Sequence, residues 1–99
     1  MDRLILEEKL ESLRNCIHRI EVRRTTTVAE LQGDADRQDI IALNLTRAVQ
    51  LCVDVATLVI ADSDEPAPQT MGQAFDVLAR LGTITDSLAS RMKAAVGAR

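Results

Sequence analysis

The chain has 99 residues, of which 46% are hydrophobic and 27% are charged, and its net charge is −3. This composition fits one small globular domain and excludes a disordered or fibrous protein, while the acidic balance argues against broad, non-specific binding to nucleic acid. The only aromatic residue is a Phe. Aromatic side chains, which are enriched in strands, are nearly absent, so the core must consist of Leu, Ile, Val, Ala and Met, and this favours packed helices.

The first predicted helix begins after Asp2, which can cap it. Apolar residues then recur every three or four positions, as on one face of an amphipathic helix, at Leu6, Leu10, Leu13, Ile17 and Ile20. Three consecutive Thr residues at 25–27 weaken the helical propensity. We therefore expect the helix to fray before Val28 or to continue to Leu31, ahead of a break at Gly33.

A second helix is predicted from Asp34 or Asp36 to about Ala61. Its apolar residues occupy nearly every face, so we expect it to form the centre of the core and in part to face a second subunit. No 18-residue stretch of it is free of charged residues, which argues against a membrane span. Charged residues also follow Met1 at once, without the apolar stretch of a secretory signal, so a cytoplasmic protein is predicted.

Both prolines lie in the predicted loop 62–69. Thr70 and Gln73 have the spacing of a capping box and should start a third helix, which Gly82 would end. Thr85 is expected to cap a fourth helix. The sequence thus predicts one all-α domain over residues 1–99, an antiparallel bundle of about four helices.

Three polar residues, Arg47, Gln50 and Asp54, are spaced by three and four positions on the otherwise apolar second helix. They should share one face and be paired with each other, with another helix or across a subunit boundary, because an unpaired buried charge is costly. Two interpretations stay open: a structural ion pair at the edge of the bundle, or an interface or the wall of an active cleft.

The residue types that carry most enzyme chemistry are sparse. His18 is the only histidine, so a His-based metal site or a triad with two histidines is excluded, and a solvated surface position is expected for it. Cys16 and Cys52 stand among apolar neighbours without a C-x-x-C motif and should be reduced and buried. No phosphate-binding glycine motif is present either, so no nucleotide cofactor is predicted, and with one histidine and no Cys/His cluster no metal is predicted.

Basic residues gather near the C-terminus, at Arg91, Lys93 and Arg99. Cations are favourable at a helix C-terminus and can simply be solvated there. Contact with a phosphate group is the alternative.

The segment 39–56, DIIALNLTRAVQLCVDVA, closely resembles the second helix of the HepT branch of the HEPN superfamily. The start Met1-Asp2-Arg3, Leu10-Glu11-Ser12-Leu13, the Pro-Ala-Pro loop at 66–68 and the segment 92–99, MKAAVGAR, resemble the same family in the same order. The resemblance covers nearly the whole chain. It implies a HEPN-like helical bundle that forms a homodimer and pairs with a minimal nucleotidyltransferase (MNT) antitoxin.

The resemblance also implies a metal-independent ribonuclease, whose signature is an Arg followed, after four to six residues, by a His on a late helix. Arg99 corresponds to that Arg and is the last residue, so the His position and the family's last helix are missing from these 99 residues. Arg can stabilise charge on a phosphate, but cleavage also needs a base to remove the 2′-hydroxyl proton. We therefore expect a HepT-like toxin scaffold without activity of its own.

Two alternatives to an inactive ribonuclease toxin remain. The first is a non-catalytic helical module that binds the antitoxin or a second copy of itself. The second is a helical scaffold with no connection to toxins, which the absence of a neighbouring nucleotidyltransferase gene would favour.

Overall fold

The computed structural model describes residues 1–97. Within them the chain forms helices and no strands, in the order α1 (Arg3–Glu21), α2 (Val28–Gln32), α3 (Ala35–Ala61), α4 (Met71–Arg80) and α5 (Asp86–Gly97). The predicted all-helical class is confirmed. The expectation of about four helices missed α2, a single short turn of helix before the long central one.

Polar caps set the starts of the first three helices. The Asp2 carboxylate accepts hydrogen bonds from the backbone N–H groups of Leu4 and Ile5, as predicted. Thr27, the last of the three threonines, accepts from the backbone N–H of Glu30 at 3.2 Å and so begins α2 instead of prolonging α1. Asp34 caps α3.

Asp34 also fixes the entry to α3 electrostatically. Its carboxylate accepts a hydrogen bond from the backbone N–H of Arg37 at 3.0 Å and one from the Arg37 guanidinium at 3.1 Å. These hydrogen bonds, the backbone one foremost, hold the pKa of Asp34 below its ordinary value. The same guanidinium donates to the Arg23 carbonyl at 2.9 Å, tying the end of α1 to the start of α3.

The predicted signals around α4 are present with one difference. The Thr70 hydroxyl accepts from the backbone N–H of Gln73 at 3.2 Å, but the Gln73 side chain accepts from Gln69 and not from Thr70 itself. The reciprocal bond of the capping box is therefore displaced by one residue. Gly82 has a φ of +76°, as a glycine after a helix end often does.

α3 is the centre of the fold, and each of the other four helices packs against it. α1 runs antiparallel to α3, since the N-terminal amine lies 2.8 Å from Asp62 and Lys9 lies 3.2 Å from Asp54. By length and composition α3 could cross a membrane, with a mean hydropathy of 1.5 over its most apolar segment. Four helices pack against it, but only 22% of this segment is buried within the chain.

The buried core lies where α3, α4 and α5 meet and includes Ala56, Phe75 and Ala89. α1 packs mainly on α3, so its buried seam is narrow. Cys16 is buried on that seam, whereas Ile17, expected there, is 43% exposed. The prediction that Ile17 is buried on α1 is therefore wrong. Since α1 packs on α3 alone among the described helices, fewer of its apolar residues are covered than the sequence pattern suggests.

Candidate functional site

An open cleft of about 380 Å³ separates α1 from α3. Its α3 wall contains all three residues of the predicted polar stripe, Arg47, Gln50 and Asp54. Their spacing of three and four residues puts them on one face, as expected. The stripe lines this open cleft, with Arg47 and Gln50 exposed and Asp54 partly buried.

The α1 wall contributes polar residues that were not predicted as part of a site. Ser12, Asn15 and Arg19 line the cleft, with the buried Cys16 beside them. They repeat at intervals of three and four residues, the same helical periodicity as the stripe on α3. This periodicity is visible in the sequence, but nothing local shows which face of α1 lies against α3.

At one end of the cleft the negative charge of Asp54 is neutralised by a lysine of α1. The Asp54 carboxylate accepts a hydrogen bond from Lys9 Nζ at 3.2 Å and one from Gln50 Nε2 at 3.0 Å. Lys9 and Asp54 are each about one-third exposed, at 33% and 34%, so the pair is partly shielded from water. The interpretation of the stripe as a structural ion pair thus holds for Asp54, with a lysine of α1 as the partner.

The other end of the cleft carries two arginines whose side chains are not balanced in this way. Within residues 1–97, the guanidinium groups of Arg19 and Arg47 form no hydrogen bond or ion pair, and both residues are exposed. Arg47 is therefore not paired with another residue of the described chain, and of the predicted partners only one across a subunit boundary is left for it. Two positive charges remain available to a ligand or a partner.

The cysteines and the histidine lie outside any reactive arrangement. Both cysteines are free thiols, and burial raises the pKa of Cys52, which disfavours its thiolate. His18 is exposed on α1. No group of three or more His, Cys, Asp or Glu side chains within residues 1–97 could hold a metal ion.

A second surface is an apolar groove of about 170 Å³ bounded by α1, α3, α4 and α5. Leu13, Cys52, Val59 and Met92 are among the side chains that line it. Its wall is almost wholly apolar, so it suits contact with another apolar surface and offers little to a polar substrate.

Of the three basic residues near the C-terminus, the structure describes Arg91 and Lys93. Lys93 pairs with Asp76 of α4 at 3.1 Å, and Arg91 is exposed. Arg99, the predicted half of a catalytic motif, lies outside the described residues.

Comparison with known proteins identifies relatives of this chain. The family model described as "Ribonuclease HepT-like" matches residues 7–99. The mRNA nuclease HepT of Shewanella oneidensis is 30% identical over 95 residues, which cover 96% of this chain and 71% of that protein.

Two solved structures have the same fold at 29% identity, and each match covers 94% of this chain. One is a tri-AMPylated Shewanella oneidensis HEPN toxin in complex with MNT antitoxin, with a TM-score of 0.85 over 69% of that chain. The other is a toxin–antitoxin with AMP-PNP, with a TM-score of 0.84 over 70% of that chain.

Proposed function

The chain belongs to the ribonuclease HepT-like family, and we propose that it is the toxin component of a toxin–antitoxin pair whose antitoxin is an MNT nucleotidyltransferase. One observation carries the proposal: the fold superposes over 94% of the chain on a HEPN toxin solved in complex with an MNT antitoxin. Residues 1–99 would then form one HepT-like domain. RNA and the antitoxin would meet it in the cytoplasm.

Self-association is part of the proposal. Only 22% of the most apolar segment of α3 is buried, and Leu43 and Leu45 on that helix are each 50% exposed. Helices with apolar residues on nearly all faces are normally covered on all sides. A second copy of the chain would cover what α1, α2, α4 and α5 leave open.

Catalysis is not proposed for the 99-residue polypeptide by itself. Its only histidine, His18, is exposed on α1 and follows Arg14 after three residues, whereas the family motif requires four to six. Metal-free cleavage of RNA needs a group that takes the 2′-hydroxyl proton as well as a cation at the phosphate. Arg99 could supply the cation but is a poor base, because arginine stays protonated.

The first experiment separates the toxin proposal from a scaffold with no toxin connection. The chain is mixed with the nucleotidyltransferase encoded beside its gene, and the mixture is analysed by size-exclusion chromatography with light scattering. A co-eluting complex of defined stoichiometry is expected. Two separate peaks at micromolar concentrations, or the absence of any such neighbouring gene, would contradict the toxin–antitoxin assignment.

The second experiment tests activity. The purified 99-residue polypeptide is incubated with tRNA and with mRNA, beside a mock preparation and Arg99→Ala, and the products are resolved on a denaturing gel. We expect no cleavage above the mock preparation. Cleavage that persists in Arg99→Ala and is missing from the mock preparation would refute the prediction and favour an active site elsewhere in these residues.

A further inference from the structure

We propose that the cleft between α1 and α3 binds the phosphate backbone of RNA through Arg19 and Arg47. The inference rests on the proposed function, because it says where on its surface a HepT-like protein would bind RNA. It concerns binding only. Neither arginine is given a role in cleavage.

The balance of charge in the cleft supports an anionic ligand. Asp54 is the only carboxylate among the residues that line the cleft, and it is already engaged by Lys9 and Gln50. Arg19 and Arg47 therefore contribute positive charge that no lining group offsets. The chain as a whole carries −3, so this charge is local and directs an anion to the cleft.

The donor groups in the cleft suit phosphate oxygens. Each guanidinium presents several N–H donors in a planar fork that matches a phosphate, and the Asn15 amide and the Ser12 hydroxyl can donate beside them. Ser12, Asn15 and Arg19 follow one face of α1 over two turns. This arrangement can follow a strand along its backbone and is not limited to one isolated ion.

The composition of the chain argues against stacking of bases on aromatic side chains. Single strands are commonly held by stacking bases on aromatic side chains. The chain has no Tyr or Trp, and its one Phe, Phe75, is 2% exposed in the core. Phosphate contacts from the two arginines should therefore supply most of the affinity, so binding should be confined to this cleft and strongly weakened by salt.

The test measures the binding of a 5′-labelled 12-nucleotide single-stranded RNA by fluorescence anisotropy, from 50 to 200 mM salt. The variants are Arg19→Gln, Arg47→Gln and the double variant. Arg14→Gln is the matched control, because Arg14 lies on the same helix, is exposed, and pairs with Glu11 outside the cleft. Thermal unfolding of each variant checks that the fold is kept.

We expect the double variant to bind about tenfold more weakly or worse, and Arg14→Gln to stay within about twofold of the unmodified chain. Loss of two phosphate contacts should reduce the slope of log K against log salt by about 1.4. The pair Arg19→Lys and Arg47→Lys should restore much of the affinity, since it keeps both charges.

Three results would overturn the proposal. If Arg14→Gln and Arg47→Gln weaken binding equally, RNA binding depends only on the net charge of the protein and not on the cleft. If the arginine variants bind RNA normally but lose the nucleotidyltransferase or self-association, the cleft is a protein interface. If the unmodified chain does not bind RNA at 50 mM salt, the cleft assignment fails, although the antitoxin complex of the previous section can still form.

Discussion

At the scale of single residues, Asn44 is the polar side chain most deeply enclosed in the described part of the fold. It lies near the middle of α3 and is 3% exposed. Its amide nitrogen donates to the Ile40 carbonyl at 2.9 Å, but its side-chain oxygen has no hydrogen-bond partner within residues 1–97. An unsatisfied buried acceptor of this kind costs stability, so the position is sensitive to added polarity.

Asn44→Asp should therefore destabilise the protein. The change keeps the shape but replaces the N–H group that donates to the Ile40 carbonyl with a buried carboxylate oxygen. We expect the free energy of unfolding to fall by about 3 kcal/mol at pH 7 in urea denaturation. Burial would raise the pKa of the new carboxyl above its unfolded value of about 3.9, so the penalty is fully present above the folded pKa and shrinks as pH falls through it.

Asn15→Asp provides the control for this prediction. Asn15 is exposed on α1, and it is the only other asparagine in the chain. The same chemical change there should alter the free energy of unfolding by no more than about 0.5 kcal/mol. Equal effects at both positions, or no narrowing of the Asn44→Asp deficit between pH 7 and pH 5, would show that Asn44 is not buried as the structure has it.

At the scale of elements, the ends of the helices are decided by single capping residues. After α4, the backbone N–H of Gly82 donates to the Ala79 carbonyl at 3.0 Å and that of Thr83 donates to the Leu78 carbonyl at 3.0 Å. These two hydrogen bonds form a Schellman motif, which needs a residue in the left-handed conformation. Gly82 adopts that conformation, with φ +76°. It also turns the chain back so that α5 can pack on α4.

Gly82→Ala should lower the free energy of unfolding by about 1 kcal/mol, because a Cβ disfavours the left-handed conformation. No atom lies within 4 Å of an added Cβ, so the cost belongs to the backbone. Thermal unfolding followed by circular dichroism would show a Tm lower by about 4–8 °C.

Gly33→Ala is the contrasting substitution. Gly33 ends α2 with φ −85°, which other residues adopt freely, and an added Cβ there would make only ordinary contacts. We expect an unchanged or slightly higher Tm, since alanine reduces the entropy of the unfolded chain. If Gly33→Ala lowered the Tm as much as Gly82→Ala does, the effect at Gly82 could not be ascribed to its left-handed backbone conformation.

At the scale of the whole molecule, the chain exposes more surface than its mass requires. The accessible area of the chain is 6732 Å², against roughly 5,500 Å² for a typical folded monomer of this mass. The radius of gyration is 15.2 Å, compared with about 12.6 Å expected for a compact domain of this length. The excess area is roughly 1,200 Å², more than the about 800 Å² that each partner buries in an interface of standard size.

We therefore expect a dimer in solution. Light scattering and sedimentation from about 1 to 100 μM should give twice the mass of the chain, with dissociation at most at the lowest concentration. The apolar groove and the exposed face of α3 are the candidate contact surfaces, so Leu43→Glu should shift the equilibrium towards monomer. A clean monomer of the unmodified chain at every concentration would contradict this expectation.

Much of the fold followed from local chemistry. Asp34 and Thr70 have side chains that satisfy free N–H groups at helix starts, and Gly82 permits the conformation that ends a helix, so these boundaries could be predicted without tertiary information. The face shared by Arg47, Gln50 and Asp54 followed in the same way, since helical periodicity alone brings residues three and four apart together.

The sequence by itself thus determined the four longer helices, the polar stripe on α3 and the family, but not the short helix α2. Only the tertiary structure decided that Arg19 stands with Arg47 in one cleft, that Lys9 balances Asp54, and that Cys16 instead of Ile17 is buried. The reason is physical. Periodicity places residues around the axis of their own helix. The rotation and register of α1 against α3 are instead set by contacts between residues more than 40 positions apart, such as Lys9 and Asp54.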